Sequence, residues 1–247
     1  MPVNYVRGLT ATVRTRRSNT HLGIGLAFVA GATNAGGFLA VQQYTSHMTG
    51  IVSSMAEAAI GGDWFVLSTG GVALAAFLIG AATTAILVNA ARQHNLSSAY
   101  ALPLLLEALL LLLFGTIGAR LNEMHELFVP LTVVLLCFIM GLQNAVITKI
   151  SHAEIRTTHV TGLVTDIGIE VGKLLLVNRP THAVQPPVVV DRERLQLLLL
   201  LFSGFFSGGV VGAAGFRAIG FAATVPLALV VVALALIPVI DDLRRTA

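Results

Sequence analysis

Two stretches of the chain carry the same polar residues in the same order. Asn34, in Gly31-Ala32-Thr33-Asn34-Ala35, is followed by His47-Met48-Thr49-Gly50. Asn144, in Gly141-Leu142-Gln143-Asn144-Ala145, is followed by His159-Val160-Thr161-Gly162. The chemistry on offer is hydrogen bonding and proton exchange. Asn and Thr present donors and acceptors, and an imidazole titrates near neutral pH. Gly50 and Gly162 permit a sharp turn or a close approach. Thr49 and Thr161 are placed to cap the short segments after them, and a helix start favours anionic or carbonyl groups. The expected site is central and takes Asn34, His47, Thr49, Gly50, Asn144, His159, Thr161 and Gly162.

Acidic residues near these motifs extend the chemistry. Asp166, Glu170 and Lys173 follow the second motif. Glu170 and Lys173 are spaced to pair, and a solvated face is expected for both. Thr161, Thr165 and Ile169 share another face at four-residue spacing. Glu107 stands alone in Pro103-Leu104-Leu105-Leu106-Glu107-Ala108-Leu109, and its counterpart near Val230 is apolar. An acid in an apolar run is costly and marks a functional candidate. Glu107 and Asp166 are therefore the candidates for proton coupling. Catalysis is not expected. Ser46 and His47 are adjacent, but no third orienting group is evident. The single cysteine, Cys137, supports no metal cluster, and no nucleotide loop is present. No cofactor and no metal are expected.

The elements that position these residues follow from charge. Charged residues are 11% of the 247, against roughly 25% in an average soluble domain. None occurs in 18–56, 64–91, 127–148, 195–216 or 218–240. A membrane span needs about 20 largely apolar residues. The fold class is an all-α polytopic membrane protein, with spans near 22–41, 66–91, 100–118, 127–148, 195–215 and 219–240. Segments 51–60 and 163–177 are too polar for lipid-facing spans and read as short re-entrant or interfacial helices. A basic tail occupies 1–21, a first membrane repeat 22–120, and a second repeat 127–240 with a charged loop at 178–194.

With six spans, the positive-inside rule places all lysines and arginines inside except Arg120 and Arg217. Both termini are then cytoplasmic. Three spans per repeat is an odd number, so the halves insert in opposite directions, as in many transporters. Gly204, Gly208 and Gly212, and Ala76, Gly80 and Thr84, form small-residue stripes for close helix packing.

The run Ala30-Gly31-Ala32-Thr33-Asn34-Ala35-Gly36-Gly37-Phe38 with His47-Met48-Thr49-Gly50 resembles the N-terminal signature of the YoaK family. Gly141-Leu142-Gln143-Asn144-Ala145 with Arg156-Thr157-Thr158-His159-Val160-Thr161-Gly162 resembles its later signature. The resemblance covers nearly the whole chain, about 20 to 240. It implies a bacterial plasma-membrane protein with several spans, carrying a domain of unknown function. Asn34 stands where the family often has Asp, and Ile51 where Asn often follows the first motif. The expected function is a small-solute transporter or channel whose partners are membrane lipid and a solute or ion, not nucleic acid. The rival is a non-transporting module that binds a protein or lipid through the tail and the 178–194 loop.

Overall fold

The computed structural model describes residues 16–94, 96, 99–120, 125–151, 157–176 and 188–246. The tail 1–15 and the loop residues 177–187 lie outside them. All regular structure among the described residues is helical. Six helices are long: α1 (Arg16–Val41), α3 (Trp64–Gln93), α4 (Ala101–Gly118), α5 (His125–Ile150), α7 (Arg192–Ile219) and α8 (Thr224–Thr246). Two are short: α2 (Met48–Gly61) and α6 (Val160–Leu175).

Five stretches are long and apolar enough to cross a membrane: Asn19–Val41, Trp64–Gln93, Ala101–Gly118, Phe128–Ile150 and Arg192–Leu236. The last spans 45 residues and contains a break. Gly220 adopts φ 59, a left-handed conformation open to glycine, and a 3-10 turn over Gly220–Ala223 separates α7 from α8. Leu78, Ile79, Ile86, Leu109, Phe206 and Leu229 stand more than half exposed on the outer faces of these helices. Apolar side chains around an apolar bundle are stable only where the solvent is hydrocarbon. The chain is a helical, polytopic membrane protein.

The helices pack across the two halves. α1 lies along α7, α3 along α5, and α4 along α8. In α1 and α7, Gly204 faces Ile24, Gly208 faces Phe28 and Gly212 faces Ala32, so the two run parallel. In α3 and α5, Gly80 faces Phe138, and Thr84 Oγ1 donates to the Leu142 carbonyl at 2.9 Å. Lys149 Nζ further along donates to Asn89 at 3.3 Å, so this pair is parallel too. α1 and α5 are antiparallel: Gln143 Nε2 donates to the Leu26 carbonyl at 3.2 Å, while Gly37 sits against Leu136. α4 and α8 are also antiparallel, because Gly115 and Gly118 near the end of α4 meet Thr224 at the start of α8 and Phe221 in the turn before it.

Glycine is required at the crossings. A Cβ on Gly31 would overlap the Phe205 carbonyl oxygen, and one on Gly208 the Phe28 carbonyl oxygen. The α3–α5 crossing repeats this: Gly141 against the Phe77 carbonyl and Gly80 against the Phe138 carbonyl. The helix backbones touch, which lets dispersion and weak Cα–H···O contacts act where lipid offers no hydrophobic drive between helices. Gly31→Ala and Gly141→Ala are each expected to lower stability by about 1–3 kcal/mol through overpacking. Gly168→Ala meets nothing within 4 Å and should be neutral or stabilising. Thermal unfolding in detergent checks this; a Gly31→Ala protein as stable as Gly168→Ala would contradict it.

Candidate functional site

The sequence-predicted site residues assemble as two clusters, one per half. In the first, Ser46 Oγ donates to Asn34 Oδ1 at 2.9 Å. In the second, Thr158 Oγ1 donates to Asn144 Oδ1 at 2.7 Å. Asn144 also donates from Nδ2 to the Met140 carbonyl at 2.8 Å. Ser46 and Thr158 each stand immediately before the motif histidine, twelve and fourteen residues after their Asn. Neither was part of the expected site, although their shared placement in the two motifs was a usable signal.

The bonds fix where the motifs lie. The contacts between α1 and α5 centre their crossing near Ala30–Gly31 and Met140–Gly141. Asn34 and Asn144 sit about one helical turn, some 5 Å, from that centre in opposite directions. α1 continues to Val41, about 15 Å from the centre and thus half a hydrocarbon thickness. Gln42 takes the left-handed φ of 54, and its N–H donates to the Phe38 carbonyl at 2.9 Å, ending the helix. The chain then turns back along α1 until Ser46 reaches Asn34. From that depth α2 starts, with Met48 and Ile51 packed among Ala73, Ala76 and Cys137.

Two local expectations are corrected. The N-cap residues are His47 and His159, not Thr49 and Thr161, which fall within the first turns. Neither histidine side chain caps the first-turn N–H groups of its helix. Gly50 and Gly162 are helical, not turn residues. Their missing Cβ makes room for an imidazole: His47 Nδ1 lies 2.8 Å from where a Gly50 Cβ would be, and the His159 ring would overlap one on Gly162. Each glycine thereby holds its own histidine ring against the helix start.

A cavity of about 720 Å³ opens beside α2. Its walls include His47, Gly50 and Ser54 on one side and Thr69, Val133 and Val134 on the other. Asn34 and Thr49 do not line it. His47 and His159 are both exposed to the surroundings of the protein, as are Thr49 and Thr161. The cavity offers hydrogen-bonding groups set in apolar walls, a composition suited to a small neutral or amphipathic solute.

The second short helix is anchored by charge. Glu170, expected on a solvated face, is instead 2% exposed. Its carboxylate accepts from Lys173 Nζ at 2.7 Å and from the Asp191 backbone N–H at 3.0 Å. Asp166 pairs with Arg194 at 3.0 Å rather than standing free near the motif. Asp191 caps α7 through the Arg194 N–H, so the clamp ties α6 to the start of α7. The first half has Ser54 and Ala58 where Asp166 and Glu170 stand at the 112-residue offset between the motif histidines. There Asp63 caps α3 alone, accepting from Phe65 and Val66.

Glu107 is completely buried in α4, and neither carboxylate oxygen has a hydrogen-bond partner among the described residues. Its counterpart changes on inspection of burial. Leu104, Glu107, Ala108 and Leu111 face inward on α4 as Thr224, Leu227, Ala228 and Val231 do on α8. Val230 is 41% exposed, so Leu227 occupies the equivalent inward position.

The hydrogen bonds from Lys173 and the Asp191 backbone hold the Glu170 carboxyl below the usual carboxylate range. A lowered carboxylate contributes stability at neutral pH that is lost as pH falls through its folded value. Protection of the α6 amides, taken relative to the intrinsic exchange rate at each pH, should therefore fall below the ordinary glutamate range, near pH 4. Glu170→Gln should show fast exchange already at pH 7. Identical α6 exchange in both proteins at pH 7 would contradict the clamp.

No curated protein and no solved structure gives a significant match to the chain. A family match does exist, and it covers residues 22–237. That interval takes in both motifs, both short helices and Glu107, in keeping with the resemblance to the YoaK family. The chain belongs to the family described as protein of unknown function DUF1275.

Proposed function

We propose that the protein is a small-solute transporter or channel of the bacterial plasma membrane, built as two inverted three-span repeats with cytoplasmic termini. α2 and α6 are re-entrant helices that enter from opposite faces and carry the two half-sites toward the middle of the membrane. The observation that carries the reading is the pairing of matched hydrogen bonds, Ser46–Asn34 and Thr158–Asn144, on antiparallel helices. Had α2 and α6 both crossed, α1 and α5 would run parallel. Their antiparallel course supports six crossings and inverted halves, as does the charge distribution. The reciprocal crossings of Gly31 with Phe205 and Gly141 with Phe77 support a duplication.

In this reading the solute contacts His47 and Ser54 from one side of the membrane and His159 and Thr161 from the other. Helix starts at both half-sites add N–H donors for a carbonyl or similar acceptor. The Asn residues position the motifs by holding Ser46 and Thr158. Movement of solute between the half-sites spans about 10 Å along the bundle, which needs only a modest rearrangement around the glycine crossings.

The test is flux across liposomes holding the purified protein, read by light scattering with a panel of small polar solutes. For a solute that permeates, His47→Ala and His159→Ala should each reduce flux about tenfold, the worth of one hydrogen bond of about 1–1.5 kcal/mol. Both variants should keep the parent's thermal unfolding. Unchanged flux in folded variants would show that the motifs do not form the path.

A further inference from the structure

We propose that Glu107 is a proton-binding site at the centre of the bundle, and that its exchangeable proton couples solute movement to the proton gradient. The inference rests on the transport reading for the coupling, but the proton site itself stands on separate observations.

Glu107 is 0% exposed, and both of its carboxylate oxygens lack partners among the described residues. Helix α4 runs from Ala101 to Gly118, with its midpoint at Leu109–Leu110. Glu107 therefore lies about 4 Å from mid-level, inside the protein rather than at a lipid face. The charged groups of the elements packed against α4 stand at their ends: Arg92 of α3, bonded to Tyr100 seven residues before Glu107, His125, Glu126 and Lys149 of α5, and Asp241, Asp242, Arg244 and Arg245 of α8. No Asp, Glu, Lys, Arg or His occurs on α3 from 64 to 91, on α5 from 127 to 148, or on the turn and α8 from 218 to 240. The titratable groups on those stretches are reduced to Cys137 of α5, itself buried.

A buried carboxylate without a counter-ion is among the most costly arrangements a protein can hold, whereas the neutral acid is not. A hard cation needs several oxygen ligands, and no group of three metal-binding side chains occurs among the described residues. A proton needs only the carboxylate. The neutral acid also gains an O–H donor, and Gln143 Oε1 on α5 is another buried oxygen without a partner. Gln143 stands on α5, which packs against α4, and is a candidate acceptor for that O–H among the described residues.

The place in the fold gives the proton a task. Matched motifs on two inverted halves would by themselves treat both sides of the membrane alike. Glu107 breaks that equivalence at the centre, because the matching inward position in the second half is Leu227. Protonation and release change the cost of opening the bundle around Glu107, which makes the cycle sensitive to pH on the side that is open.

The experiment uses the full chain in lipid and two probes. Dicyclohexylcarbodiimide, an apolar reagent that adds to protonated carboxylic acids, should label Glu107 at neutral pH, as read by peptide mass. Infrared spectra should show a protonated-carboxyl band that shifts when the sample is moved to D₂O. Glu107→Gln, which keeps the shape, should unfold at the parent temperature and lose both signals. Absence of label and band in the parent, or a band that does not shift in D₂O, would overturn the site. In flux assays Glu107→Gln should still pass solute down its own gradient while losing the response to an imposed pH gradient. A retained response would overturn the coupling, whereas absence of flux in the parent as well would count against the transport reading and leave the two chemical signals to decide the proton site.

Discussion

Backbone contact at the two helix crossings governs this fold. In a lipid environment apolar side chains gain nothing by leaving hydrocarbon for one another, so helices associate through close packing. Gly31 and Gly208 bring α1 and α7 together at backbone range, and Gly141 and Gly80 do the same for α5 and α3. Once those four helices are fixed, the antiparallel α1 and α5 set the level of Asn34 and Asn144. The serine and threonine bonds to those residues then draw the motif loops inward. The depth of the candidate site thus follows from where glycine allows two helices to touch.

Much of this was legible in the sequence. All six long helices fall on the predicted runs, because the spacing of charges in a membrane protein reports the length of hydrocarbon directly. The two short helices were legible as well, since polar residues at 51–60 and 163–177 do not suit lipid. The lysine and arginine distribution called for an antiparallel α1 and α5, and the contacts between them run that way. The family resemblance rested on the same motifs that organise the structure.

Other features needed coordinates. The partners of Asn34 and Asn144 lie twelve and fourteen residues away across a reversal of the chain, and periodicity carries no record of such bonds. The role of Gly50 and Gly162 was misread because a glycine in a motif signals space without saying what fills it; here it is the motif's own imidazole. Glu170 read as solvated because its neighbour Lys173 supplies an ordinary surface pair. The Asp191 N–H that draws it inward comes from beyond the charged loop. Val230 was expected opposite Glu107, but an offset between two apolar runs does not record which face of each helix is buried.

The halves share a plan but differ in how their short helices are held. α6 is tied to α7 by the Asp166–Arg194 pair and by Glu170, whereas α2 has a cavity of about 720 Å³ at its side. Together with the buried acid at Glu107, this makes the two ends of the bundle and its middle chemically distinct. Such differences suit a device that must respond differently to the two sides of a membrane.

The central claim is that α2 and α6 each leave and return on one face, and that the faces are opposite. Single cysteines at Gln43, Gly61, Lys149 and Leu176, introduced after replacing Cys137 with serine, place a reporter at each end of each short helix. A membrane-impermeant maleimide applied to intact cells and to inverted vesicles reads their sidedness. The account predicts label at 43 and 61 only from outside, and at 149 and 176 only from the cytoplasmic side. Label at the two ends of one short helix from opposite sides would contradict it.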